Sequence, residues 1–204
     1  MKLRLISTLA FAFVVVTGAY ADTITFNFST TPGNTTTATY TSDGVTISAS
    51  SGTSADLFFK NGGGDETGLG LTPSGENEIG AGQSIIFDLS SLFSKNISSL
   101  SLALGSIQTG EGGKACDAFG MCVTFSPSQS GQFVDITNVF NDMKSHNSGT
   151  LTITATSGNV LIDGLTATTP VPEPSALLLV GTGLFMMAGA VFVMRKQLSG
   201  TATA

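Results

Sequence analysis

Ile97-Ser98-Ser99-Leu100-Ser101-Leu102-Ala103-Leu104 decides the fold. From Leu100 onward every second residue is a leucine, and small residues fill the places between. Successive side chains of a strand point to opposite faces, so this stretch gives one apolar face and one wet face. The same period of two recurs on both sides of it, at 24–28, 45–49, 56–59, 84–89, 122–125, 132–136, 151–155 and 160–165. These nine runs are rich in β-branched and aromatic residues and are separated by Gly, Asn, Ser and Asp clusters. No long helical pattern interrupts them, and only 135–144 could hold a helical turn. The pattern predicts an all-β fold, a β-sandwich whose sheets each keep one solvated side. Phe26, Phe28, Ile47, Phe58, Ile86, Leu100, Leu102, Leu104, Phe125, Ile153 and Leu161 are the expected core.

The chain ends are of a different kind. Met1-Lys2-Leu3-Arg4 precedes an apolar run at 5–16 and the small-residue sequence Ala19-Tyr20-Ala21. A positive start, a short apolar middle and an A-x-A site read as a secretory signal peptide at 1–21, with cleavage after Ala21. At the other end Val171-Pro172-Glu173-Pro174-Ser175 leads into an uncharged apolar stretch at 176–194, followed by Arg195-Lys196. That stretch is long enough for a transmembrane helix, and the basic pair favours a cytoplasmic tail at 195–204. The expected organisation is therefore signal peptide 1–21, β-sandwich ectodomain 22–169, linker 170–175, transmembrane helix 176–194 and basic tail 195–204.

The expected ectodomain has four lysines (Lys60, Lys95, Lys114 and Lys144), no arginine, and thirteen Asp and Glu, a net charge of −9. Phosphate neutralisation needs a basic footprint, so nucleic acid is excluded as a partner, and an anionic membrane surface is disfavoured. Cys116 and Cys122 form an even, closely spaced pair in an exported chain, which reads as one small disulfide loop. Such a loop stabilises by about 2 kcal/mol on the chain-entropy model and pins a hairpin tip. Metal or redox use of these cysteines would need more soft ligands or a C-x-x-C spacing.

Catalytic chemistry has little to draw on, and the reading is non-enzymatic. His146, the one histidine, lies in Lys144-Ser145-His146-Asn147-Ser148-Gly149 and reads as a solvated loop residue. No G-x-S-x-G elbow is present. The glycine run Asn61-Gly62-Gly63-Gly64 lacks the lysine of a phosphate loop and reads as a strand connection. Paired carboxylates leave a hydrolase as a third reading. Asp65, Glu66, Glu76, Glu78 and Asp163 are hard oxygen donors and candidate calcium ligands, without EF-hand spacing. A sugar site wants exposed aromatic faces beside polar groups; Tyr40 is the one Tyr or Trp of the ectodomain, and the phenylalanines fall mostly on the buried face.

The motif Val171-Pro172-Glu173-Pro174, the apolar stretch after it and Arg195-Lys196 together resemble the PEP-CTERM sorting domain of Gram-negative bacteria. The resemblance covers about the last fifth of the chain. It implies recognition by an exosortase, a membrane cysteine protease, anchoring in the inner membrane through the C-terminal helix, and delivery to the cell surface or matrix after processing. It also implies a link to exopolysaccharide or biofilm. The segment 59–71 with Glu76-Asn77-Glu78-Ile79, and the strand at 161–166, more loosely resemble PEP-CTERM ectodomains and jelly-roll domains related to carbohydrate-binding modules. The expected function is a structural or adhesive surface protein. A calcium-stabilised carbohydrate-binding module is the alternative, with extracellular polysaccharide as its partner.

Overall fold

The structure, a computed structural model, describes residues 21–29, 34–63, 66–74 and 76–170, together with Gly183 and Met187. Ala21–Pro170 is one compact unit. Its strands in chain order are β1 (Thr23–Asn27), β2 (Thr37–Ser42), β3 (Val45–Ser51), β4 (Asp56–Asn61), β5 (Thr67–Thr72), β6 (Ile79–Gly80) and β7 (Ser84–Asp88). After them come β8 (Ser99–Leu104), β9 (Gly112–Asp117), β10 (Cys122–Phe125), β11 (Phe133–Asp135), β12 (Thr150–Ser157), β13 (Asn159–Val160) and β14 (Ile162–Thr168). One helix, α1 (Thr137–Ser145), sits between β11 and β12.

The strands build two six-stranded antiparallel sheets and one two-stranded piece, as the alternation predicts. The first sheet runs β11-β8-β14-β5-β4, with β1 also paired to β14; the second runs β10-β9-β12-β7-β3-β2; β13 pairs with β6. The buried faces meet in one hydrophobic cluster. Phe28 bridges the two layers: its ring centroid lies 4.6 Å from that of Tyr40 on β2 and 5.2 Å from that of Phe87 on β7. Leu100, Leu102 and Leu104 are all buried, so β8 keeps the phase its sequence dictates. Phe26, Phe28, Ile47, Phe125, Ile153 and Leu161 are buried too.

Two core expectations are corrected. Phe58 and Ile86 are only half-buried; Leu57, Ile85, Phe87 and Leu89 hold the core positions instead. The segments Leu57-Phe58-Phe59 and Ile85-Ile86-Phe87 are apolar at consecutive positions, so their own sequences do not fix the phase. Pairing does. Leu57 lies opposite buried Leu71, and Ile85 and Phe87 lie opposite buried Ile153 and Leu151. A shift of one residue would turn each set outward.

The helical segment is also longer than one turn. α1 buries Val139, Phe140 and Met143 along one side and packs against β8, β9 and β12. Residues three and four apart share a helix face, which is why Val139 and Met143 act together. Among the described residues no helix is long and apolar enough to cross a membrane. The expected span 176–194 lies outside the described residues, apart from Gly183 and Met187, which are helical.

Candidate functional site

The two ends of the β unit are clamped together. β1 and β14 pair antiparallel with Thr23 opposite Thr168. Beyond them the Asp22 amide donates to Thr169 Oγ1 at 3.0 Å, and the Thr169 amide donates to the Asp22 carbonyl at 2.9 Å. The expected leader junction after Ala21 and the expected start of the sorting segment at 170 therefore emerge side by side from one sheet. The residues of that segment, Val171, Pro172, Glu173, Pro174, Arg195 and Lys196, lie outside the described residues.

The acidic loops form the most heavily paired polar site. Glu78 is 2 % exposed and bonds through Oε1 to Lys60 Nζ, which also lies 3.0 Å from Glu66 Oε2. Burial pushes the Glu78 carboxyl above the ordinary range, although Lys60 works against it. Burial disfavours the Lys60 ammonium, but its hydrogen bonds to Glu78 and Glu66 outweigh that and raise its pKa. Gln108 Nε2 donates to Glu66 Oε1 at 3.3 Å, and Asn159 Nδ2 donates to Glu76 Oε2 at 3.5 Å. Of the five candidate calcium ligands, then, Glu66 and Glu78 come together, on a lysine. Glu76 stands on Asn159, Asp163 lies apart, and Asp65 is outside the described residues. Among the described residues no group of three or more His, Cys, Asp or Glu is arranged to hold a metal ion.

Asp163 follows a different geometry. The register of β14 against β8 shifts between Ile162 and Gly164, and this irregularity sets Asp163 outward. It lines a groove of about 390 Å³ with Thr67, Gly105, Gln132 and Phe133. Gly105 is required there, because a β-carbon would run into the Thr67 carbonyl oxygen. Phe133 is 66 % exposed on β11. Tyr40 is buried and offers no face to a ligand.

The cysteines form the expected disulfide, Cys116–Cys122, between opposed positions of the β9–β10 hairpin. Asp117, next in the chain, is buried; its Oδ1 accepts the amides of Phe119, Gly120 and Met121 at 2.8, 2.7 and 2.9 Å. Burial opposes ionisation of Asp117, but the Asp142 carboxyl within hydrogen-bonding reach and these amides hold it below the ordinary range. Asp142, on α1, is pushed up by Asp117. His146 is exposed in the turn after α1, as expected. It caps the C-terminus of α1, and its ring stacks on Phe119 with centroids 4.0 Å apart. Asp117 carried one sequence signal, an Asp followed three residues later by a turn glycine; nothing in the sequence linked it to Asp142.

Residues 170–196 match the family model for the PEP-CTERM protein-sorting motif. The chain is thus a PEP-CTERM sorting domain-containing protein. The motif implies an exported chain held at the membrane before processing by an exosortase. No curated protein and no solved structure matches the chain.

Proposed function

We propose that the chain delivers a jelly-roll-like β-sandwich to the cell surface or extracellular matrix, where it serves as a non-catalytic structural or adhesive component of exopolysaccharide or biofilm. The sorting motif at 170–196 carries this reading, since it begins where the sandwich ends. The β1–β14 clamp supports it: removal of a leader before Asp22 and of a tail after 170 leaves every strand in place. The non-catalytic part draws on the state of the reactive groups. Both cysteines are in a disulfide, and the His146 ring is held against Phe119.

Mass spectrometry of the native termini after fractionation of the host tests the sorting reading. A surface or matrix form starting at Asp22 and ending near Pro174 is expected. Intact chain confined to the inner membrane would overturn it.

The groove favours a second reading, carbohydrate binding with calcium as a stabilising ion. An exposed phenyl face beside Gln132, Asp163 and Thr67 supplies an apolar platform and directional polar groups together. A glycan array with the protein and its Phe133→Ala variant tests it. Binding that the variant loses supports the reading, and no signal above background ends it.

A further inference from the structure

We propose that Asp117 and Asp142 form a binding site for a hydrated divalent cation of the calcium or magnesium type, at the junction of the β9–β10 hairpin and α1. The site is separate from the acidic loops around Lys60 and does not depend on the sorting or sugar readings.

Asp117 is 6 % exposed. Its Oδ1 is fully engaged by three backbone amides, which lock the carboxylate in one orientation. The other oxygen, Oδ2, is buried and has no hydrogen-bond donor. The Asp142 carboxyl lies within hydrogen-bonding reach of the Asp117 side chain. Two carboxyls can bond to each other only when one carries a proton, and ordinary carboxyls have lost theirs well below neutral pH. When both carboxyls are ionised, the pair sets two negative oxygens together.

Among the described residues no lysine supplies a compensating charge: the ion pairs of lysine are those of Lys60 with Glu66 and Glu78. His146 Nδ1 lies 3.5 Å from Asp142 Oδ2, yet the same nitrogen is 3.0 Å from the Asp142 carbonyl oxygen and 3.2 Å from Ser145 Oγ. It serves the helix end and does not reach Asp117. A buried carboxylate oxygen without a partner is costly, and natural structures resolve such oxygens with a counter-charge.

The donors select the ion. Both are hard carboxylate oxygens, which suit calcium and magnesium over thiophilic metals. Two protein ligands leave most of the coordination shell to water, the usual state of protein-bound magnesium and of weak extracellular calcium sites. Asp142 is 28 % exposed at its side chain, which leaves an open side for entry and for those waters. A bound ion would join the hairpin tip to α1 and hold Phe119 and Met121, 54 % and 43 % exposed, in a fixed presentation.

The test is thermal unfolding of the purified full chain in detergent at neutral pH, first stripped with chelator. It is then supplied with about 5 mM CaCl₂ or MgCl₂, above the dissociation range of weak extracellular sites, and compared with KCl of equal ionic strength. The expected result is a saturable rise of Tm with the divalent salts alone. Asp142→Asn, on the exposed side of the site, should abolish it, and Glu76→Gln should not. Calorimetric titration of the same proteins should give a heat in the wild type that Asp142→Asn lacks. A Tm that responds equally to KCl, or a shift that persists in Asp142→Asn, would overturn the proposal; loss of the shift in Glu76→Gln alone would place the ion in the acidic loops instead.

Discussion

Lys60 neutralises Glu78 inside the fold: the lysine side chain is 17 % exposed, the glutamate 2 %, and Glu66 closes on the same ammonium at 3.0 Å. β4 brings the lysine and the turn before β6 brings the glutamate. The Glu78 amide and carbonyl are both engaged by the Ser74 hydroxyl, which fixes the backbone under the pair.

Removing one partner of such a pair leaves a buried charge uncompensated. Lys60→Met should cost about 3–5 kcal/mol in urea unfolding, and the double variant Lys60→Met/Glu78→Met should recover most of it. The sign with pH follows from Glu78. Its folded pKa is raised above 4.5, so its contribution is full below that value and is lost as pH rises through the folded pKa. The penalty of Lys60→Met should accordingly shrink on acidification. A penalty that does not change with pH would mean that packing, not charge, is what the lysine provides.

Strand β7 shows where sequence reading stops and the sheet takes over. β8 alternates strictly, and its buried face is legible from Leu100 to Leu104. Ile85-Ile86-Phe87 is not, because three apolar residues in a row satisfy either phase. β9 was not legible as a strand at all: Gly112 and Gly113 are buried but carry no side chain, and Gly113 makes room for the Phe125 ring. The sorting motif at 170–196 was legible because it is local in the chain. Asp117 and Asp142 meet only because α1 packs across β9, which no local pattern encodes. The groove was missed for a related reason, since Phe133 opens outward from an edge strand whose alternation alone does not say which sheet it joins.

The phase of β7 is measurable. Ile85→Ala should cost about 2–5 kcal/mol, the range for an isoleucine truncated in a closed core. Ile86→Ala, half-buried on the other face, should cost clearly less. Equal losses in chemical denaturation would contradict the register in which Ile85 lies opposite Ile153.

Gly70 is a second point where packing leaves one choice. A β-carbon there would meet the Asn77 carbonyl oxygen and come within 2.7 Å of the Glu78 Cα. Both contacts are backbone, so neither can swing aside. Gly70→Ala should lower stability by at least about 1–3 kcal/mol, the usual cost of overpacking. It should also loosen the Lys60–Glu78 pair. Combining it with Lys60→Met should then cost less than the sum of the two single losses, as expected for coupled neighbours. Strict additivity would show that the glycine and the ion pair are independent.

Asp135 ends β11, two residues before α1 begins, and its charge should be visible in the acid limb of the stability curve. The Thr137 amide donates to its Oδ1 at 2.9 Å, while Thr137 Oγ1 accepts the Leu100 amide at 3.0 Å, so the turn ties the helix start to β8. The Thr137 hydroxyl, with the amide, holds the Asp135 carboxyl below its ordinary value of 3.8. A lowered folded pKa contributes stability that is present above 3.8 and lost as pH falls through the folded value. Asp135 is exposed, so solvent screening keeps the charge part small, and Asp135→Ala should cost about 0.5–1 kcal/mol at neutral pH. The difference from wild type should shrink steadily in acid, where the wild-type carboxyl is protonated. Asp135→Asn keeps an oxygen for the Thr137 amide and should lose less, with a weaker dependence on pH. An alanine penalty that stays constant from neutral pH into acid would show that the side chain acts at this turn without its charge.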